Sequence, residues 1–451
     1  MEKLSGYPYV RVQFTKDARP FSALETKRLE DLLAGGGITD LLVLSHGWNN
    51  DMREARALYK KFMAVFAAVV SAAGLVVDRQ FGVLGVLWPS KKFGDEALLP
   101  GSGTPAALGS SQPAAALQNQ LNNLKGFFDG RQGNLLLEKA KAAAREMGSA
   151  SQGQAAEDFV AIMEELLTNA IKSQGGKPDP AEGWRDLAVV SARDLLATLS
   201  QVSASPQEPV EEGGAPSFQM GDLAVAEGAA AGIGDFFRYK LQGARNLLNY
   251  VTYYQMKERA GAVGSYGLHP LLLQIRDRFP HIHLHLIGHS FGARLVTAAV
   301  AGPNGPDNLK VNTLVLLQAA FSHYGLARKY DGRKDGFFRR VITDRKVTGP
   351  ILISFTQNDR AVGLAYAIAS RIANQVAAAI GGATDIYGGM GGNGALKTPE
   401  AINGNNLERG SKYDFLPGKV YNLKADGCIT DHSDICQQEV ARALLAAIKK
   451  S

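Results

Sequence analysis

A chain of 451 residues with 45% hydrophobic and 20% charged side chains holds enough apolar material for one large or two ordinary buried cores. Its net charge of +6, from 49 Lys and Arg against 43 Asp and Glu, is small for this length and gives no argument for a nucleic-acid partner, so none is expected. No stretch approaches the roughly 18 consecutive apolar residues of a membrane span, and Met1 to Pro20 holds no apolar segment of the signal-peptide kind. The expected location is the cytoplasm, or outside the cell by a route that needs no cleaved signal peptide.

In chain order, the period-two alternation Tyr9-Val10-Arg11-Val12-Gln13-Phe14 predicts an edge strand. A helix over 22–33 should stop at Gly35-Gly36-Gly37. Residues 40–45 are nearly all apolar, as a strand covered on both faces would be. They run into His46-Gly47-Trp48-Asn49-Asn50-Asp51, where Gly47 allows a tight turn and Asn49, Asn50 or Asp51 can cap a helix over 52–73. Another buried strand, 80–88, should end at Pro89, which has no N–H for the ladder.

From Lys92 to Gly234 the alternation of strand and helix stops. Helical patterns occur at 114–128, 135–147, 155–172 and 184–199, and a Pro/Glu/Gly-rich stretch, 205–216, reads as a flexible loop. The expected organisation is an α/β core formed by 1–91 and 235–451, with 92–234 as a helical insertion, either a cap or lid over a site or a plain packing element. The helix over 236–262 carries Tyr250, Tyr253, Tyr254, Lys257 and Arg259, with its aromatic positions expected in the core, and 268–279 is a further helix.

The stretch His283-Leu284-His285-Leu286-Ile287 alternates like a strand, and Ala293 to Val300 reads as a helix. Between them lies Gly288-His289-Ser290-Phe291-Gly292, a G-x-S-x-G. Its serine must sit on a sharp strand-to-helix turn, where bulky neighbours two residues either side would collide with it. The turn pushes the Ser290 hydroxyl out of the sheet, and the free N–H groups at the helix start favour negative charge beside it.

Strands follow at 312–317 and 350–356, the second ending in Gln357-Asn358-Asp359-Arg360, then a helix over 361–380. Seven glycines between 381 and 394 suggest a mobile loop near the site's mouth. The final expected strand, 419–423, leads through a loop holding His432 to a closing helix, 435–450. Between the strands, Arg328, Lys329, Arg333, Lys334, Arg339, Arg340, Arg345 and Lys346 face only Asp331, Asp335 and Asp344. That segment reads as a solvated loop or as a patch attracted to an anionic surface such as phospholipid head groups. The two cysteines, Cys428 and Cys436, bracket His432 and are expected as free thiols in the cytoplasm, with a disulfide as the alternative. A zinc site is not expected, since a fourth ligand is missing.

Serine becomes a useful nucleophile when an imidazole takes its proton and a carboxylate fixes that imidazole. With Ser290 at one strand end, the partners must lie on loops after later strands. Of the eight histidines, His281, His283 and His285 precede or lie in the strand before the turn, and His289 is aimed elsewhere by it. Among His46, His269, His323 and His432, the last alone is both late in the chain and on a post-strand loop. Asp359 directly follows a strand and is the first choice of acid, with Asp331 and Asp335 as fallbacks and Asp431 and Asp434 too close in sequence to His432. His46-Gly47-Trp48, after the first buried strand, stands where the amide of Trp48 would join that of Phe291 in an oxyanion hole; the plainer alternative is a strand-ending turn.

With His46-Gly47-Trp48, Gly288-His289-Ser290-Phe291-Gly292, Asn358-Asp359 and His432 in this order, the sequence resembles the α/β-hydrolase superfamily, of the bacterial lipase and esterase kind. The resemblance covers roughly 8–90 and 235–450, and the layout is also similar to that of secreted antibacterial phospholipase effectors. It implies a mostly parallel sheet with helices on both faces and hydrolysis of a small-molecule or lipid ester through an acyl-enzyme on Ser290, without a cofactor. The middle insertion departs from the minimal pattern, so the substrate does not carry over. A peptidase or thioesterase with the same triad, and a non-catalytic scaffold binding partners through the insertion, are the alternative readings.

Overall fold

The computed structural model describes residues 2–74, 79–90, 113–128, 130–147, 152–173, 191–200, 233–303, 305, 307–359 and 387–451. The expected loop at 205–216, the expected helix at 361–380 and the first part of the expected helix at 184–199 lie outside the described residues.

Nine strands among the described residues form one sheet: β1 (Glu2–Leu4), β2 (Tyr7–Gln13), β3 (Asp40–Ser45), β4 (Phe81–Leu87), β5 (His283–His289), β6 (Thr313–Leu317), β7 (Ile351–Phe355), β8 (Ala401–Asn406) and β9 (Val420–Lys424). Their spatial order is β1-β2-β4-β3-β5-β6-β7-β9-β8, and only the β1–β2 pair is antiparallel. Parallel strands need crossover helices, which cover both faces, so the central strands are apolar throughout. Every residue of β3, β4 and β6 is buried. The period-two pleat divides them: Leu41 and Val43 join one core, Leu42 and Leu44 the other.

One face is covered by α2 (Met52–Ala72) and the C-terminal helix Gln438–Ile448. Asp51 starts α2 with a capping box: its carboxylate accepts from the Arg53 and Glu54 N–H groups, and the Glu54 carboxylate accepts from the Asp51 backbone N–H. The other face carries α1 (Ala23–Ala34), α7 (Ile233–Ala262), α8 (His269–Arg278) and α9 (Phe291–Ala301). The helices of the middle region, α3 (Pro113–Asn123), α4 (Gly130–Glu146), α5 (Gln152–Ser173) and α6 (Ala192–Ser200), pack on one another and on α7. Leu121, Leu137, Phe159 and Leu196 from these helices belong to the same apolar cluster as Leu286 of β5. The insertion is thus joined to the sheet's core through α7. At Gly243 of α7 a Cβ would lie 2.1 Å from the Leu196 carbonyl, so only glycine permits this approach of α6.

Several expectations need correction. The Tyr9 to Phe14 run is not an edge strand, because the three-residue β1 pairs outside it. At the opposite edge β8, Ala-Ile-Asn-Gly-Asn-Asn, was not expected: it has no apolar run, and its register shifts between Ile402 and Asn405. Short, polar, irregular strands suit edges because they discourage pairing with another chain. Between α7 and α8 lies a π-helix, Val263–Leu268, where a Cβ on Gly264 would sit 2.2 Å from the Leu295 carbonyl of α9. The described end of the glycine-rich stretch is ordered: Met390–Asn393 forms a helical turn, and Gly391 N–H donates to the Ala319 carbonyl at 2.9 Å.

The basic segment is only partly a solvated loop. Buried Arg339 forms a two-pronged pair with Glu400 at 2.6 Å on each arm, and buried Lys346 pairs with Asp307 at 2.5 Å. Arg340 donates to the carbonyls of Pro303 and Gly305. Arg328, Lys329, Arg333, Lys334 and Arg345 remain exposed. Cys428 and Cys436 are free and half-buried, and burial pushes their thiols up to about 12 and about 11. Among the described residues no helix is long and apolar enough to cross a membrane.

Candidate active site

The site begins where β5 turns into α9. Ser290 holds φ 57° and ψ −123°, a positive φ that a non-glycine residue adopts only at a cost of about 1–3 kcal/mol. The surroundings enforce it. Ser290 N–H donates to the Leu317 carbonyl at 3.0 Å, and its carbonyl accepts from Ala293 and Ala320. A Cβ on Gly288 would lie 2.4 Å from the Gly292 carbonyl, and one on Gly292 would lie 2.3 Å from that of Ser45. Both flanking glycines are therefore required by backbone crowding, as the sequence spacing implied.

The turn directs Ser290 to two side chains from distant loops. Its Oγ lies 2.8 Å from His432 Nε2, and His432 Nδ1 lies 2.9 Å from Asp359 Oδ1. A carboxylate can only accept, so Nδ1 carries the ring proton and Nε2 is left to accept from the hydroxyl. All three residues are buried. Asp359 stands four residues beyond β7 and His432 eight beyond β9, adjacent strands whose ends are laced together. Asn358 Nδ2 donates to the carbonyls of Asp426 and Ile429, and Thr356 Oγ1 donates to Asp426 Oδ1 at 2.8 Å.

Three supporting residues have no signature in the sequence. Gln318, just past β6, donates from Nε2 to Asp359 Oδ2 at 3.2 Å, while its Oε1 accepts from Ser354 Oγ at 2.8 Å. Gly391 comes so close that a Cβ there would sit 2.7 Å from Asp359 Oδ2. His289, expected to point elsewhere, donates from Nε2 to the His432 carbonyl at 2.8 Å, with the two rings 4.9 Å apart. Burial, and then the neighbouring His432, push its pKa down to about 3, so it is a neutral strut for the loop of His432.

The loop after β3 packs directly on the turn, since a Cβ on Gly47 would lie 2.8 Å from Ser290 Cβ. His46 fixes this loop: Nδ1–H donates to the Gly47 carbonyl at 2.9 Å, Nε2 accepts from Trp88 N–H at 3.3 Å, and its ring stacks on that of Trp88. Burial lowers its pKa to about 4, so it too is neutral near pH 7. The Trp48 and Phe291 rings lie 5.9 Å apart, and among the described residues neither backbone N–H has a hydrogen-bond partner.

No family model, curated protein or solved structure matches the chain. The likeness noted above therefore rests on residues and geometry alone.

The remaining candidates lie apart from Ser290. His281 is exposed, His285 pairs with Asp40, His269 Nδ1 donates to the Ala299 carbonyl, and His323 lies beside Asn393. Asp331 and Asp335 are exposed and accept from backbone N–H groups of their own turn. Asp431 and Asp434 likewise bind within their loop, to Ser433 and Thr430.

Proposed function

We propose that the protein is a serine hydrolase of the α/β-hydrolase kind, cleaving carboxylic esters through an acyl-enzyme. The observation that carries this is the continuous chain from Ser290 Oγ through His432 to Asp359, with contacts of 2.8 and 2.9 Å. In the first step Ser290 Oγ attacks the ester carbonyl while its proton passes to His432 Nε2. Asp359 holds the ring and offsets the charge of the imidazolium. The negative oxygen of the tetrahedral intermediate accepts from the N–H groups of Trp48 and Phe291, which are left without partners for that purpose. Collapse breaks the carbonyl–oxygen bond to the alcohol, which leaves with the proton from Nε2. Water then attacks the acyl-serine, giving its proton to Nε2, and the acid departs as Ser290 recovers its hydrogen.

The mostly parallel sheet, with nucleophile, acid and base following β5, β7 and β9, is consistent with this fold assignment. We read the insertion as a cap, because its helices pack on α7, the helix whose Tyr253 lies against Phe291 at 4.8 Å between ring centres. The exposed cations between 328 and 345 leave room for contact with an anionic membrane surface. A panel of p-nitrophenyl esters of rising chain length tests the reading. Wild type should release p-nitrophenol in a burst followed by steady turnover, and Ser290→Ala should give neither. Turnover that survives Ser290→Ala, or none on any ester, would contradict it.

A further inference from the structure

Two side-chain donors beside the turn have nothing to donate to. Tyr253 of α7 packs its ring 4.8 Å from that of Phe291 and 5.9 Å from that of Trp48. Its hydroxyl is buried and, among the described residues, has no hydrogen-bond partner; the same holds for the Trp48 indole Nε1. Tyr253 is 9% exposed and Trp48 8%, so water is not an easy substitute. Leaving such a group unpaired costs about 1–3 kcal/mol, and two of them on side chains that both pack against Phe291 call for an acceptor that arrives later.

The oxyanion does not use them up. It is served by the amides of Trp48 and Phe291, so the side-chain donors are surplus and require a second oxygen. We infer that Tyr253 and the Trp48 indole bind a neutral oxygen of the substrate next to the scissile ester, which makes the substrate an oxygen-bearing ester and not a plain hydrocarbon one. An indole N–H only donates, so the bound atom must accept. Burial first, and then the Asp359 carboxylate, raise the Tyr253 pKa far above neutrality, which keeps the phenol protonated. At this spot the Asp359 carboxylate outweighs the opposing Arg294 guanidinium, which disfavours an anionic group. An ether, keto or hydroxyl oxygen meets these conditions in either the acyl or the alcohol half of the ester.

This inference rests on the hydrolase reading, and the test separates the two. Two isosteric pairs differ by one oxygen in place of one CH2: p-nitrophenyl methoxyacetate against p-nitrophenyl butyrate for the acyl half, and 2-methoxyethyl acetate against butyl acetate for the alcohol half. The quantity read is the ratio of kcat/KM within each pair, in wild type and in Tyr253→Phe. Comparing the two proteins cancels the intrinsic reactivity of each ester. The ratio should fall at least about tenfold in Tyr253→Phe for one pair, which also identifies the half that carries the oxygen. Trp48→Phe, which keeps its backbone N–H, should lower the ratio of the same pair. The Tm of Tyr253→Phe should be unchanged or higher, since the variant removes an unpaired buried hydroxyl. Ratios unchanged in both pairs, or a lower Tm with all four esters affected alike, would overturn the inference while wild-type turnover upholds the hydrolase reading. Absence of wild-type turnover on all four, with no fluorophosphonate adduct on Ser290, would instead remove both.

Discussion

Two trios of hydroxyl, imidazole and carboxylate lie at opposite strand ends of one mostly parallel sheet, with only β5 common to both. Past the ends of β5, β9 and β7 stand Ser290, His432 and Asp359; near the beginnings of β6, β5 and β3 stand Thr313, His285 and Asp40. Their distances are nearly alike. Thr313 Oγ1 is 3.0 Å from His285 Nδ1, and His285 Nε2 is 2.8 Å from Asp40 Oδ1. What differs is the setting. Thr313 lies within a regular strand, whereas Ser290 is held at positive φ. Asp40 also binds Arg79 and Thr39, each at 2.6 Å, so its charge is already matched. Beside Ser290 the Trp48 indole and the Tyr253 hydroxyl are unpaired among the described residues, whereas at the Thr313 trio the unpaired ring nitrogen, His283 Nδ1, stands at the carboxylate end, 3.7 Å from Asp40. The hydroxyl-to-imidazole-to-carboxylate spacing thus occurs twice among the described residues, and what sets Ser290 apart is its positive φ and the unpaired donors beside it.

Exchanging the hydroxyls gives the widest separation between the trios. Ser290→Ala should lower kcat by about 10^5-fold or more. Thr313→Val should leave kcat of the folded protein within about threefold, yet cost about 1–3 kcal/mol by stranding His285 Nδ1. Equal losses of turnover, measured on the same p-nitrophenyl ester, would erase the distinction. The carboxylates come next. Asp359→Asn should reduce kcat by about 10^4-fold with a modest change in unfolding free energy. Asp40→Asn should do the reverse, destabilising by about 3 kcal/mol because Arg79 and His285 lose their shared partner. Urea titrations beside turnover numbers separate these outcomes.

The last contrast concerns pH and leaves turnover near neutrality untouched. His46 is held neutral, with its pKa lowered to about 4 by burial from an unperturbed 6.5. Between those values the unfolded chain binds more protons than the folded one, so stability is full above pH 6.5 and falls as the pH drops toward 4. The loss from His46 approaches roughly 3 kcal/mol. Thermal midpoints from pH 7 to 4.5 should fall less steeply in His46→Gln than in wild type. Parallel slopes would show that His46 does not titrate with unfolding.

The sequence made the interior of this sheet readable because β3, β4 and β6 are buried on both faces and leave continuous apolar runs. Gly288 and Gly292 were equally informative, since crowding at the turn allows no side chain there. Placement of Asp359 and His432 followed from their positions just past strands. The edges were hidden for the opposite reason: β8 is built from Asn and Gly and buries little. Gln318, His289 and Tyr253 left no signal of their place at the site because each reaches it through long-range contacts, which neither composition nor periodicity encodes. The basic segment misled by counting charges, since Arg339 and Lys346 find their acidic partners in distant parts of the chain.

Covalent capture of the nucleophile tests the central claim most directly. After treatment with a fluorophosphonate, peptide mass spectrometry should find the adduct on Ser290, with labelling at least about a thousandfold slower in His432→Ala. An unlabelled Ser290 in folded wild-type protein, or an adduct that persists in Ser290→Ala, would contradict it.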